Sequence, residues 1–126
     1  SAFEKRIGTE FPWQFRAYLS EFNGGIFNEP DLYLPGKDEA FDRLTILYGV
    51  NVRPRNRRMD TESNLATFDD NDPVIILPIG YTMMGKLLCM FVGEEEHGWI
   101  AAKYPSEDRW EILGESIDEF FDCIVL

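Results

Sequence analysis

Cysteine, histidine, positive charge and long apolar runs are all scarce in this 126-residue chain. Its two cysteines, Cys89 and Cys123, sit in apolar stretches and in no CxxC spacing, so they supply neither a disulfide framework nor a zinc knuckle. They read as small buried hydrophobes, with a single disulfide between them left open. The one histidine, His97, excludes a histidine-based zinc set and leaves any Ser-His-Asp or Cys-His arrangement dependent on a single imidazole. The longest charge-free run, 73–85, is broken by Pro78 and Gly80 and is too short to span a bilayer. Lys and Arg total 12 against 23 Asp and Glu, a formal net charge of −11. A field of that sign repels phosphate backbones and anionic lipid and speeds encounter with basic proteins, so neither nucleic acid nor membrane is expected as a partner.

What is present suffices for one domain. Ten Phe, three Trp and five Tyr supply bulky filling for a single core in a chain of this length, and no linker, repeat or low-complexity tract divides it. The domain is therefore read as 1–126, with an N-terminal truncation left open. The chain begins Ser-Ala, and the segment from Phe3 to Ile7, apolar at both ends and stopped by Gly8, suggests a short first helix. No secretory signal is read, and the reduced-cysteine reading points to the cytoplasm.

The stretch FPWQFRAYLSEFNGG predicts a helix with Pro12 in its first turn and Phe11, Phe15, Tyr18, Leu19 and Phe22 on one stripe. Asn23, Gly24 and Gly25 stop it, one glycine taking the left-handed conformation. A short strand is expected between Ile26 and Gly36, with loops around Pro30 and Pro35, and the β-branched and aromatic content between Phe41 and Val50 favours another. Residues 51–72 read as a polar loop with one short helix near Leu65 and Phe68. Val74–Ile79, Leu87–Val92, Trp99–Lys103 and Trp110–Leu113 are apolar runs joined by segments too short for crossover helices, which predicts an antiparallel meander. Ser116 and Glu119 form a capping box ahead of a helix whose apolar face is Ile117, Phe120, Phe121, Ile124 and Val125. The expected class is α+β: a largely antiparallel sheet covered by N-terminal and C-terminal amphipathic helices.

Chemistry is hard to assemble. His97 lies in EEEHG and reads as a solvated loop residue. DDND at 69–72 lacks the glycine and distal glutamate of a calcium loop. GYTMMGK has the GxxxxGK outline of a phosphate-binding loop, but Met83 and Met84 crowd its centre, Leu87 takes the magnesium-ligand place and LLCMFV continues as a strand. A hairpin is the better reading, and Lys86→Ala is expected to leave fold and binding intact. No cofactor, metal or catalysis is expected. The negative charge is uneven: Glu94 to Asp122 holds ten acids and two bases, whereas Arg53, Arg55, Arg57 and Arg58 form a basic run read as a compensated loop. Met83 and Met84 either tuck under the sheet edge or offer an adaptable apolar contact, and Glu94, Glu95 and Glu96 either solubilise a hairpin tip or belong to an interface. These five are the candidate partner-binding residues.

Three blocks in order along the chain, FPWQFRAYLSEFNGG, LPIGYTMMGKLLCMFVG and SIDEFFDCIVL, with LYGV at 47–50, resemble the SUKH superfamily of bacterial immunity proteins and fungal regulators of cell-wall assembly. Met83, Met84, Gly85 and Lys86 depart from that family's more glycine-rich turn followed by Asn or Asp. The resemblance implies a mixed helix-and-sheet domain that neutralises or regulates a protein partner. It also implies shape-determining roles for Asn23, Gly24, Gly25, Pro78, Gly80 and Gly85. Charge and resemblance together suggest an immunity protein for a basic secreted toxin, with nucleases among the candidates. A regulatory or scaffolding interaction domain in signalling or cell-envelope maintenance is the alternative, and a small enzyme using His97 the third reading.

Overall fold

A computed structural model of the chain describes residues 2–50 and 75–125. Helix α1 (Ala2–Ile7) stops at Gly8. Helix α2 (Trp13–Glu21) starts after Pro12, whose carbonyl accepts the N–H groups of Phe15 and Arg16 at 3.1 Å. Phe3, Phe11, Phe15 and Tyr18 form an edge-to-face and tilted aromatic series with centroids 5.1–5.8 Å apart, which holds α1 on α2. A buried carboxylate locks the same pair: Glu4 Oε2 accepts from the Phe11 N–H at 2.8 Å and from Arg16 Nη2 at 2.7 Å.

The strands are β1 (Gly25–Ile26), β2 (Asp31–Tyr33), β3 (Ala40–Leu47), β4 (Ile76–Thr82), β5 (Leu87–Phe91), β6 (Ile100–Lys103), β7 (Glu111–Gly114) and β8 (Ile124–Val125), with helix α3 (Ile117–Asp122) between the last two. They form one sheet in the order β7-β6-β5-β4-β3-β2-β8, with β1 also on β3, and every pairing is antiparallel. The expected meander is the β4–β7 half. The helices near the two ends of the chain flank this sheet, giving the α+β class. Leu32, Leu44, Leu77, Ile79, Leu88, Met90, Ile100, Leu113 and Phe120 are fully buried between the layers.

Several boundaries differ from the sequence reading. The single strand expected after Gly25 is two strands, because Pro30 breaks the run and lets β1 and β2 pair with successive stretches of β3. β4 begins at Ile76 and runs through Pro78 to Thr82. Ile124 and Val125 are not on the last helix: α3 ends at Asp122, and the chain turns to pair Ile124 with Leu32 at the sheet edge, as β-branched residues favour. Phe22 leaves the buried stripe of α2. It caps the helix and is 68% exposed, since the chain reverses at once through Asn23 at φ 46°. In the capping box, the Ser116 hydroxyl accepts the Glu119 N–H as expected, but the Glu119 carboxylate accepts the N–H of Glu115. The arginine run, DDND and the short helix near Leu65 lie outside the described residues.

Candidate functional site

The residues singled out for their shape come together from separate parts of the chain. Asn23 grips Val50 twice: its side-chain amide donates to the Val50 carbonyl at 3.0 Å, and its carbonyl accepts the Val50 N–H at 2.8 Å. Gly24, at φ 85°, lies so close to β3 that a Cβ would sit 2.6 Å from the Leu47 carbonyl and 2.7 Å from the Gly49 nitrogen. Gly80 faces the same place from β4, where a Cβ would collide with the Ile46 carbonyl. The Tyr48 N–H donates to Ile79 O at 2.7 Å. Asn-Gly-Gly, Pro-Ile-Gly and Leu-Tyr-Gly-Val thus meet where two backbones press against the end of β3, and only missing side chains permit the approach. Buried Pro78, with no N–H to give, sits where the β4–β5 register shifts before Gly80. Gly85 turns the β4–β5 hairpin at φ 88°, with open space around it, as around Gly25.

That hairpin carries the methionines. Asp42, buried on β3, accepts the Thr82 hydroxyl at 2.6 Å and the Met84 N–H at 3.2 Å, and Met83 N–H donates to the Arg43 carbonyl at 2.8 Å. The backbone of the turn is therefore fixed, while Met83 and Met84 are 52% and 53% exposed rather than tucked under the sheet edge. Lys86 corrects an expectation. Its side chain is buried, donates to Glu111 at 2.7 Å, and lies over the rings of Phe41 and Tyr104 at 4.5 and 5.2 Å. It ties the start of β5 to β7 instead of facing a ligand, so its loss is expected to cost stability. The hairpin geometry also gives the phosphate-loop outline no helix: β5 follows directly.

Glu94, Glu95 and Glu96 stand exposed in the β5–β6 connection, which closes through Gly98 N–H to Phe91 O at 2.7 Å. This connection lies at the end of β5 opposite the methionine turn, about 15 Å away along the strand. The structure therefore does not join the five candidate residues into one patch. Beside the acidic tip, His97 is exposed, and its Nδ1 lies 3.1–3.2 Å from the carbonyls of Gly93 and Val92. Carbonyl oxygens only accept, so Nδ1 carries the proton. A shallow cleft of about 550 Å³ next to it is lined by Thr9, Glu10, Ile75 and Glu94 and brings no thiol or second imidazole. Both cysteines are buried and free; burial raises the Cys89 thiol above its usual range, and burial with Asp122 and Glu119 nearby raises Cys123. Among the described residues no group of three His, Cys, Asp or Glu is placed to hold a metal ion, and no helix is long and apolar enough to cross a membrane.

A third surface escaped the sequence reading. Tyr18 and Phe22 from α2, Ile26 and Phe27 around β1, and Phe121 and Ile124 beyond β7 line an apolar groove of about 420 Å³. Its available signal was FNGGIF, with Phe22 before the glycines and Ile26 and Phe27 after them, which continues the apolar pattern past the point where the helix must stop.

No curated protein and no solved structure matches this chain. A family model does, over residues 1–123, nearly the full chain and all the motif blocks that meet at the end of β3. On that match, the chain belongs to the SMI1 / KNR4 family (SUKH-1).

Proposed function

We propose that this protein is a cytoplasmic immunity protein that binds and neutralises a cognate, basic, secreted toxin, with nucleases as the first class to test. One observation carries the reading: of the ten acids from Glu94 to Asp122, nine are exposed and Glu111 is half-buried, while the same stretch contains only Lys103 and Arg109 as bases. Such a surface focuses a negative field and accelerates encounter with a basic protein. Family membership supports a binding role, and the rigid Met83–Met84 turn and the Glu94–Glu96 tip are the contacts first proposed for it.

The test begins with the partner recovered from the native cell by pull-down and identified by mass spectrometry. Association is then followed by surface plasmon resonance at about 50 and 300 mM salt. Converting Glu94, Glu95 and Glu96 together to lysine changes local charge by six units, and association should slow and lose part of its salt dependence, with circular dichroism confirming the fold. Equal association rates at low salt would remove the tip from the steering surface. A strongly acidic partner, or binding indifferent to salt, would sink the electrostatic argument and favour the regulatory alternative.

A further inference from the structure

We propose that the apolar groove between the end of α2, β1 and α3 is a docking site for a basic polypeptide segment that inserts a large apolar side chain. The inference rests on the reading that the partner is basic, and it places the retaining contact on a surface distinct from both the methionine turn and the acidic tip. Three observations converge on it.

The first is exposure without compensation. Phe22 and Ile26 are 68% and 59% exposed at the groove, beside the half-buried Phe27 and Phe121. Large apolar side chains clustered around a concavity are the form taken by anchor pockets in protein interfaces. The second is polar. The Tyr18 hydroxyl is buried in the groove wall and has no hydrogen bond among the described residues, although the Gly24 backbone lies near enough to offset a little of the rise that burial causes in its pKa, to about 12. On β1, the Phe27 N–H donates to Thr45 O and Ile26 stands opposite Ile46, so antiparallel alternation directs the N–H and C=O of Ile26 away from β3. An extended segment would find backbone groups to pair with there.

The third observation selects the occupant. The two stretches of chain that contain the lining residues, 17–36 and 110–126, hold no Lys or Arg and eight carboxylates, among them Glu21, Glu29, Asp118 and Asp122. Of these eight, Asp31 and Glu111 are already engaged by Arg43 and Lys86. An apolar floor beside a surplus of carboxylates fits a segment with cationic residues flanking an apolar one. It disfavours an anionic small molecule, which would meet an excess of carboxylates, and a second copy, which would bring like charges together.

The probe is a set of three synthetic peptides sharing a Trp-Leu centre, flanked by lysines, by serines or by glutamates, titrated into the 15N-labelled full chain and followed by amide NMR shifts. The lysine peptide should give saturable shifts at Tyr18, Ile26, Phe27, Phe121 and Ile124 and bind at least ~10-fold tighter than the serine peptide, and the glutamate peptide should not bind. Because Phe22 is largely exposed, Phe22→Ser should keep the fold and weaken the lysine peptide by ~10-fold or more, and Ile26→Thr should do so to a lesser degree. Equal binding of all three peptides, shifts confined to Met83–Met84 or Glu94–Glu96, or groove shifts that follow protein concentration without peptide would each overturn the proposal. The two levels of the reading separate with the native partner: if the glutamate-to-lysine reversal slows association while Phe22→Ser leaves dissociation unchanged, the basic-partner function stands and the groove does not.

Discussion

Replacing each glycine of the Gly24–Gly25 pair in turn by alanine isolates the close backbone approach of the helix terminator to β3. Both positions have positive φ, 85° and 156°, so each alanine meets backbone strain of about 1–2 kcal/mol. Their surroundings differ. Nothing lies within 4 Å of a Cβ at Gly25, whereas at Gly24 it would stand 2.6 Å from Leu47 O and 2.7 Å from Gly49 N and Tyr48 C. All three are backbone atoms, so no rotamer change relieves the overlap. Either the end of β3 moves or the Asn23–Val50 pair opens, and each of its two hydrogen bonds contributes about 1 kcal/mol. Gly24→Ala should therefore cost about 3–4 kcal/mol and Gly25→Ala about 1–2 kcal/mol. In urea melts with an m-value of about 1–3 kcal/mol/M, the Gly24 variant should unfold at a midpoint lower by roughly 1 M or more. Coincident midpoints, or a more stable Gly24 variant, would refute the close approach of the helix terminator to β3.

Lys86→Ala should lower stability by about 2–3 kcal/mol, somewhat less than for a fully buried pair because Glu111 keeps partial solvent access, and Lys86→Met with Glu111→Leu should restore most of it in denaturant melts. The same Lys86→Ala protein and the wild type should both show no saturable ATP binding by calorimetry. The raised thiols and tyrosines set a pH dependence. The folded chain holds protons on Cys89 and Cys123 that the unfolded chain releases above its ordinary thiol value of 9.0, and protons on Tyr18 and Tyr48, pushed up to about 12, that it releases above 10.0. Where the unfolded state binds fewer protons, stability falls as pH rises, so the urea midpoint should be level from pH 7 to about 8 and decline above about 9. Cys89→Ala should remove part of that decline, and a midpoint that rises with pH would contradict the buried placement of these groups.

The sequence already carried the short-range features. Pro12 ahead of α2, the Asn-Gly-Gly terminator, the Ser116 cap and the brief connections of the β4–β7 meander all express local backbone preferences within a few residues. The surplus of carboxylates was equally plain, because charge is a sum over residues and needs no coordinates. Burial of individual polar groups was not. Glu4 and Asp42 look like two of 23 interchangeable acids, and Lys86 like a hairpin lysine, until Arg16, Thr82 and Glu111 arrive from elsewhere in the chain.

The sequence by itself determined the class of fold, the order of its main elements, the sign of its surface field and the motif blocks of its family. Only the tertiary structure decided that those blocks are one packing point at the end of β3, that Phe22 and Ile26 remain outside the core, and that the methionine turn and the acidic tip lie at opposite ends of β5. The difference is one of range. Periodicity, capping and turn chemistry act within one helical turn or one hairpin, whereas which apolar side chains stay uncovered depends on how strands distant in sequence share the edges of one sheet.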